Sequence, residues 1–261
     1  MKKELSGRWA LVTGASSGIG VVLADELAAR GADLVLVARR REALEEVAAR
    51  VRTEHSVQVR VEIADLARPG EPERLFASVQ KSGIEIAVLA NNAGFGTYGT
   101  FDTIEAATEE AMIDLNVKAI VRLTRLFVPR MRAAGFGRIL LTASIGAYSP
   151  GPLYAVYCAA KAFVLNYGIA IRHELHGTGV TVTVLSPGVV KTEFHRVAGH
   201  EKNRFKERTG MEAGPVGRAG VRGMLHGKAE VIPGFLTKLL AISTRFAPRP
   251  VQAAMSGRLM A

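Results

Sequence analysis

The chain has 261 residues, of which 48% are hydrophobic, and carries a formal net charge of +10. This length and apolar content predict one domain with a large core, and the single cysteine, Cys158, excludes an intramolecular disulfide framework and indicates a reducing compartment. The first residues are too polar for a signal peptide and no apolar run approaches the roughly 20 residues of a bilayer span, so we expect a soluble, cytoplasmic protein.

The first predicted elements are a strand, a glycine-rich turn and a helix. The strand starts with Arg8–Val12, and the helix after the turn reaches about Arg30. Glycines in the turn allow the backbone to approach a diphosphate, whose charge then lies at the helix N-terminus. This order within about 30 residues predicts a dinucleotide-binding turn. Its predicted cofactor contacts are Gly14, Ser16, Ser17, Gly18, Ile19 and Gly20.

The second predicted strand, Asp33–Val37, ends in residues that favour NADP over NAD. A carboxylate at this point would bind the ribose 2′-hydroxyl of NAD, but the chain has Ala38, Arg39 and Arg40 instead. Guanidinium groups are planar, charged donors for a 2′-phosphate, and no carboxylate repels it. We therefore predict that Arg39 and Arg40 bind that phosphate. The alternative is that these arginines only begin an exposed helix.

The third and fourth predicted strands also end in candidate cofactor residues. They cover Gln58–Ile63 and Ile86–Ala90, with a helix over Glu71–Lys81 between them. The acidic residue after the third strand is expected to lie at an adenine edge, or else to cap a turn. The small and amide residues after the fourth strand either pack beside the cofactor or form an ordinary Asx turn. The predicted contacts are Asp65, Leu66, Asn92, Ala93 and Gly94.

A long helical tract is predicted over roughly Glu105–Arg132, with apolar residues at helical spacing. Asn116 interrupts its apolar face. A buried amide must find hydrogen-bond partners, so Asn116 is either a satisfied core residue or a water-holding member of the site.

The fifth predicted strand, Arg138–Ala143, delivers a serine to the start of the next helix. On that helix Tyr157 and Lys161 are four residues apart and so lie on one face. An ammonium near a phenol favours the phenolate, so we expect Lys161 to lower the pKa of Tyr157. None of the other four tyrosines has a basic residue at this spacing. We predict that Ser144, Tyr157 and Lys161 form a proton-transfer site; the alternative is a chance pair on a helix surface.

The sixth predicted strand, Val180–Leu185, leads to a proline that stops it and a glycine that permits close backbone approach. The threonine a few residues later is expected to hydrogen-bond a nicotinamide carboxamide. The predicted contacts in this stretch are Pro187, Gly188, Val190 and Thr192. No metal site is predicted, because His173 and His176 have no Cys or carboxylate at ligand spacing.

The rest of the chain is basic. From Arg196 to the end, 12 Lys/Arg stand against 4 Asp/Glu, so this part holds +8 of the +10 charge. We expect a mobile, substrate-side segment from Phe194 to about Gly227, then a last strand near Val231–Pro233. The apolar tail Phe235–Phe246 is expected to pack on a partner subunit or to lie against a membrane. The charge itself is interpreted as a solvated surface, with no nucleic-acid partner, although an anionic partner stays open.

The order of these motifs resembles the classical short-chain dehydrogenase/reductase family. The match covers about residues 6–192 and includes the glycine turn, the Asn91–Gly94 segment and the nicotinamide-side stretch. The family's catalytic tetrad falls on Asn116, Ser144, Tyr157 and Lys161. The resemblance implies an α/β fold, a Rossmann-type doubly wound parallel sheet with helices on both faces. It also implies a single NAD(P)-binding domain over 1–261, in which 193–261 form the substrate-side segment, and a homodimer or homotetramer.

The resemblance implies a role for each member of the tetrad. Tyr157 would exchange a proton with the substrate oxygen as hydride passes to or from the nicotinamide. Lys161 would lower the pKa of the phenol and bind the nicotinamide ribose of the cofactor. Tyr157 would also contact the cofactor. Ser144 would orient the carbonyl, and Asn116 would hold a water that links Lys161 to solvent.

We therefore expect an oxidoreductase that uses NADP(H) to interconvert a carbonyl and a secondary alcohol, and that reduces a hydrophobic ketone. The predicted substrate contacts are Ser144, Ile145, Tyr148, Tyr154 and Phe194. A 3-oxoacyl thioester reductase, whose basic C-terminal region meets an acidic carrier or CoA, is the main alternative. A non-catalytic NADP-sensing module is a second alternative, although such a module has no need of Tyr157.

Overall fold

Seven parallel strands form one sheet in the computed structural model, which describes residues 3–194, 198–199 and 210–260. The strands are β1 (Trp9–Thr13), β2 (Asp33–Ala38), β3 (Val59–Ile63), β4 (Ile86–Asn91), β5 (Gly137–Thr142), β6 (Val180–Leu185) and β7 (Glu230–Val231). Their order across the sheet is β3-β2-β1-β4-β5-β6-β7. The order reverses between β1 and β4, which is the crevice where open α/β sheets bind ligands.

Helices cover both faces of the sheet. They are α1 (Gly18–Ala29), α2 (Arg41–His55), α3 (Glu71–Lys81), α4 (Ala106–Ile113), α5 (Ile120–Ala133), α6 (Ala155–Glu174), α7 (Ala213–Leu225), α8 (Phe235–Ser243) and α9 (Arg249–Met260). One buried cluster joins the sheet to α1, α2 and α7, and a second joins it to α3, α5 and α6. Neighbouring residues of β1 belong to different clusters, Leu11 to one and Val12 to the other, because successive strand side chains point to opposite faces.

The predicted fold class is confirmed: the chain forms a doubly wound parallel sheet with helices on both faces, in a single domain. The central strands are almost fully buried, as expected for a parallel sheet with both faces covered. The last strand is short and covers Glu230–Val231, slightly earlier than the predicted Val231–Pro233.

The helical tract predicted over roughly Glu105–Arg132 is confirmed, but it is not α-helical throughout. A π-helical segment, Asp114–Ala119, separates α4 from α5. A π-helical turn is wider than an α-helical one and is often found at functional sites. Here the segment contains Asn116, whose side chain is fully buried.

The mobile segment predicted from Phe194 to Gly227 is wrong for its second half, because α7 is a packed helix. Three glycines at helical spacing, Gly217, Gly220 and Gly223, let α7 approach its neighbours closely. A Cβ at Gly217 would lie 2.5 Å from the Val22 side chain, and one at Gly223 would lie 2.2 Å from Val231. The high glycine content therefore reflects close packing rather than a loop. Residues 195–197 and 200–209 lie outside the described residues.

Candidate active site

A cavity of about 580 Å³ opens at the carboxyl ends of the central strands. Of the predicted cofactor residues, eighteen line it: Gly14, Ser16, Ser17, Gly18, Ile19, Arg39, Arg40, Asp65, Leu66, Asn92, Ala93, Gly94, Tyr157, Lys161, Pro187, Gly188, Val190 and Thr192. The structure thus brings together residues from six separate stretches of the sequence. Gly20, the remaining predicted cofactor residue, is buried and does not line the cavity.

The glycine turn is shaped by close packing between its own residues. Gly14 and Gly18 have positive φ angles of 66° and 56°, which L side chains rarely adopt. A Cβ on Gly20 would lie 2.0 Å from the carbonyl oxygen of Gly14, so only glycine fits there. Ser17 precedes α1, and its side chain makes no capping hydrogen bond to that helix. The first amides of α1 at the cavity are therefore suited to a diphosphate.

A hydrogen-bond network ties this turn to the end of β4. The hydroxyl of Thr13 accepts from the backbone amides of Asn92 (2.9 Å) and Ala93 (3.0 Å) and donates to the carbonyl of Ala90 (3.3 Å). The side-chain nitrogen of Asn92 in turn donates to the carbonyl of Thr13 at 3.1 Å. Thr13 was not predicted from the sequence, since a threonine at a strand end carries no local signal of this role. The network fixes the spacing of the two strand ends that flank the crevice.

The two arginines after β2 lie in different surroundings. One Nη atom of Arg40 forms an ion pair with Glu193 at 3.0 Å and donates to the carbonyl of Ser16 at 3.3 Å. Arg39 lines the cavity, is exposed, and has no ion pair within residues 3–194, 198–199 and 210–260. A 2′-phosphate beside Arg40 would therefore meet the carboxylate of Glu193, whereas one beside Arg39 would not.

The structure is compatible with both roles considered for the acidic residue after β3, a position at the adenine edge and a cap on a turn. Asp65 lines the cavity, and its carboxylate also accepts from the amide of Ala67 at 3.3 Å and pairs with Arg68 at 3.6 Å. The side chain of Leu66 is buried and faces the same cavity. Asp65 thus caps its turn and borders the space predicted for the adenine.

The serine, tyrosine and lysine of the predicted tetrad meet at the end of β5. Ser144 follows that strand and begins a 3-10 turn over Ile145–Ala147, where its hydroxyl accepts from the amide of Gly146 at 3.1 Å. Tyr157, in the first turn of α6, lies beside Ser144 on the cavity wall. The ammonium of Lys161 lies 5.8 Å from the centre of the Tyr157 ring and donates to the carbonyl of Thr142 at 2.9 Å.

Burial is the main influence on the pKa values of Tyr157 and Lys161. Burial raises the pKa of Tyr157, and the neighbouring Ser144 side chain offsets this only in part. Burial also lowers the pKa of Lys161 to about 8. The Tyr157 pKa is therefore raised here and not lowered as expected, because the cost of burying a phenolate dominates.

Asn116 is a satisfied core residue in this structure. Its side-chain oxygen accepts from the amide of Phe95 at 3.2 Å, and its nitrogen donates to the Phe95 carbonyl at 2.8 Å. A Cβ on Gly94 would lie 2.7 Å from the Asn116 oxygen and 3.3 Å from the Lys161 nitrogen. The lack of a side chain at Gly94 thus lets Asn116 and Lys161 approach each other. That Asn116 holds a water for Lys161 stays a prediction.

Four of the five predicted substrate residues line the cavity, namely Ser144, Ile145, Tyr154 and Phe194. The rings of Tyr154 and Phe194 flank that of Tyr157, with centroids 6.1 and 5.2 Å away. Tyr148 is the exception. Its hydroxyl donates to Glu230, which also accepts from Ser186 at 3.3 Å, so its side chain joins the catalytic turn to β7 instead of facing the cavity.

Part of the cavity wall comes from the C-terminal helices, which were expected to face a partner or a membrane. The contributing residues are Leu240, Ser243, Thr244, Ala247, Gln252, Met255 and Ser256. Their apolar spacing is visible in the sequence, but no local signal shows that they fold back over a site about 100 residues earlier. Cys158 also lines the cavity, where burial raises the pKa of its thiol to about 11. It therefore stays protonated near neutral pH.

These observations first define a class of protein. The chain combines a doubly wound parallel sheet, a glycine turn that leads into a helix, and a cavity that Ser144, Tyr157 and Lys161 line together. These are the features of an oxidoreductase that uses a nicotinamide dinucleotide. The match to the short chain dehydrogenase family covers residues 8–203. The chain belongs to this short-chain dehydrogenase/reductase family.

Comparisons with individual proteins agree with that assignment. The chain is 31% identical to a very-long-chain 3-oxoacyl-CoA reductase of Anas platyrhynchos, over 91% of this chain and 77% of that protein. It is 30% identical to a 7beta-hydroxysteroid dehydrogenase of Collinsella aerofaciens, over 73% of this chain and 72% of that protein. A solved short-chain dehydrogenase from Sphingobium yanoikuyae in complex with NADPH has a TM-score of 0.83 and 33% identity, covering 92% of this chain and 93% of that one.

Proposed function

We propose that this protein is an NADP(H)-dependent reductase that converts a hydrophobic ketone into a secondary alcohol. The observation that carries the proposal is the position of Tyr157. It lies beside Ser144, and Lys161 lies near its ring, in the cavity that begins at the glycine turn. A bound nicotinamide would supply the hydride, and the residues of this chain would supply the proton and the geometry.

Each side chain has a defined task in this proposal. Tyr157 donates a proton to the carbonyl oxygen, because burial keeps its phenol protonated near neutral pH. Ser144 holds the carbonyl oxygen beside that phenol. Lys161, whose Nζ donates to the carbonyl of Thr142, is fixed where it can contact the nicotinamide ribose. Asn116 and Lys161 both lie next to Gly94, and Asn116 would hold a water that links Lys161 to solvent.

The preference for NADP rests on Arg39. Arg39 lines the cavity next to Ala38, where NAD-dependent proteins of this fold place a carboxylate. The solved relative that binds NADPH supports the same choice. Arg40 would act mainly as a link between Ser16 and Glu193, and Arg39 as the ligand of the phosphate.

The shape of the wall favours a bulky apolar substrate. Beyond Tyr157 the cavity is bordered by Tyr154, Phe194, Leu240 and Met255, which are aromatic or aliphatic. A large flat or long-chain ketone would bury more apolar area against these side chains than a small one. The named substrates of the relatives, a hydroxysteroid and a very-long-chain acyl group, are both large and apolar.

The proposal is tested by following NADPH and NADH consumption with a panel of ketones of increasing size. We expect turnover with NADPH, a much lower rate with NADH, and a KM that falls as the apolar part of the ketone grows. Binding of NADPH without turnover across the whole panel would contradict the proposal and favour an NADP-sensing module.

A 3-oxoacyl thioester reductase is a second candidate. The relative from Anas platyrhynchos bears that activity in its name, and the region after Arg196 is strongly basic, which suits an anionic carrier or CoA group. A direct comparison separates the candidates: a 3-oxoacyl-CoA and a simple ketone of the same chain length are offered to the same enzyme. Equal or better turnover of the ketone would exclude the thioester as the preferred substrate.

Self-association into a homodimer or homotetramer and a cytoplasmic location stay predictions from the sequence. Among the helices that the structure describes, none has the length and apolar character needed to cross a membrane.

A further inference from the structure

Exposed apolar side chains are concentrated on the C-terminal helices. Among the described residues, eight of the twelve large hydrophobic side chains that are exposed lie between positions 235 and 255. Phe235 and Phe246 are each 85% exposed. We call this surface of α8, of the 3-10 turn Thr244–Phe246 and of α9 the C-terminal apolar face. An exposed apolar patch of this kind indicates an interaction site.

The face is held in place by hydrogen bonds. The side-chain nitrogen of Gln252 donates to the carbonyls of Thr244 and Ala247, both at 2.7 Å, and so fixes the connection between α8 and α9. The hydroxyl of Ser256 donates to the carbonyl of Pro150 at 2.5 Å, which joins α9 to the loop after the catalytic turn. The exposed apolar residues therefore belong to anchored helices and not to a frayed end.

The charged residues within this stretch of the chain have one sign. From Val231 to the last residue the sequence contains four basic residues, Lys238, Arg245, Arg249 and Arg258, and no Asp or Glu. Aromatic and aliphatic side chains bordered by basic ones are complementary to an anionic lipid surface. A second copy of the chain fits less well, because symmetric contact through this face would bring two such basic groups together without a carboxylate on either side.

We propose that the C-terminal apolar face docks on an anionic membrane surface. Phe235 and Phe246 enter the boundary between headgroups and acyl chains, while the basic side chains lie at the headgroups. The helices would lie in the plane of the membrane without crossing it.

Docking in this way would place the cavity beside the lipid. Leu240 and Met255 are both exposed on this face and part of the cavity wall. An apolar ketone dissolved in the bilayer would therefore reach the site between α8 and α9 without crossing much water. This consequence rests on the proposed reductase function, whereas the docking does not.

The docking is tested by sedimentation of the full chain with vesicles. We expect binding to vesicles of phosphatidylcholine mixed with phosphatidylserine, weaker binding to phosphatidylcholine alone, and a loss of binding as salt is raised. Removing both aromatic rings in the F235S/F246S variant is expected to weaken partitioning about a hundredfold or more. Reversing two charges in R245E/R249E is expected to weaken it at least about twentyfold, since each basic residue near such a surface contributes about a factor of five.

Matched substitutions elsewhere serve as controls. Phe101 is 79% exposed outside this face, so Phe101→Ser should bind vesicles like the wild type, and so should Lys81→Glu at the end of α3. Turnover of a small water-soluble ketone should be unchanged in F235S/F246S, because neither phenylalanine lines the cavity. Vesicle binding needs no turnover, so a failure of the proposed reductase function would not be mistaken for a failure of docking.

Three results would overturn the proposal. The first is no sedimentation with mixed vesicles at low salt. The second is an equal loss of binding in Phe101→Ser. The third is a fall in molar mass of F235S/F246S in light scattering, without vesicle binding by the wild type, which would assign the face to a second copy of the chain.

Discussion

Lys161→Met is expected to stabilise the protein while abolishing turnover. Lys161 is buried, and its pKa is lowered from 10.5 to about 8. The folded state therefore disfavours the protonated form that the unfolded chain carries. The penalty is fully present below the folded pKa of about 8 and is relieved as pH rises from there toward 10.5.

The magnitude follows from this shift. A difference of about 2.5 in pKa corresponds to a penalty of about 3 kcal/mol at pH 7, falling to about 2 kcal/mol at pH 9 and about 1 kcal/mol at pH 10. Methionine fills a similar volume but gives up the hydrogen bond to the Thr142 carbonyl, which costs about 1 kcal/mol. The net gain should thus be about 2 kcal/mol at pH 7 and close to zero near pH 10.

Urea unfolding at several pH values measures this difference, with the fluorescence of Trp9, the one tryptophan of the chain, as the signal. The fitted quantity is the free energy of unfolding of the variant minus that of the wild type. Its slope with pH carries the test, because lost contacts shift the difference by a constant. Lys81→Met removes an exposed ammonium from the end of α3 and is expected to show no such slope. A variant that is less stable at pH 7, or a difference that stays constant with pH, would refute the reasoning.

Three further predictions concern the catalytic and cofactor residues. Tyr157→Phe should lower kcat by roughly two to four orders of magnitude with NADPH affinity kept, whereas Tyr167→Phe on the same helix should leave kcat unchanged; near-normal turnover of the first variant would remove Tyr157 from the chemistry. Arg39→Asp should lower the ratio of kcat/KM for NADPH over NADH by about tenfold to a hundredfold, and Arg41→Asp should not; an unchanged ratio would move the phosphate site to Arg40. Gly20→Ala should destabilise the fold by about 1–3 kcal/mol, because its Cβ would lie 2.0 Å from the Gly14 carbonyl oxygen. An unaltered urea midpoint in that variant would show that the turn can relax.

The fold was predictable because its signals are local. Apolar strands such as Val180–Leu185, each followed by a turn and a helix, specify a parallel sheet, and the glycine turn marks the crevice. The errors came where tertiary packing decides. The glycines of α7 resemble those of a loop in sequence, and only the contacts of Gly217 with Val22 and of Gly223 with Val231 show that they permit close helix packing.

The substrate-contacting residues were less predictable than the catalytic ones, because their positions also depend on tertiary packing. Ser144, Tyr157 and Lys161 lie within 18 residues of one another, so their spacing alone suggests that they meet. Tyr148 lies in the same stretch, yet its hydroxyl is held by Glu230, a partner 82 residues later. The wall formed by α8 and α9 likewise depends on long-range folding, which helical periodicity does not report.

The ionisation of Tyr157 depends on both spacing and burial, and the sequence shows only the spacing. A lysine four residues away correctly places an ammonium on the same face of the helix, 5.8 Å from the ring centre. Burial acts on both groups and favours the neutral form of each, which raises the pKa of Tyr157 and lowers that of Lys161. Near pH 7 the phenol is then protonated, which is the form that can give a proton to a carbonyl. A protonated Tyr157 is thus the form that the proposed reduction of a ketone requires.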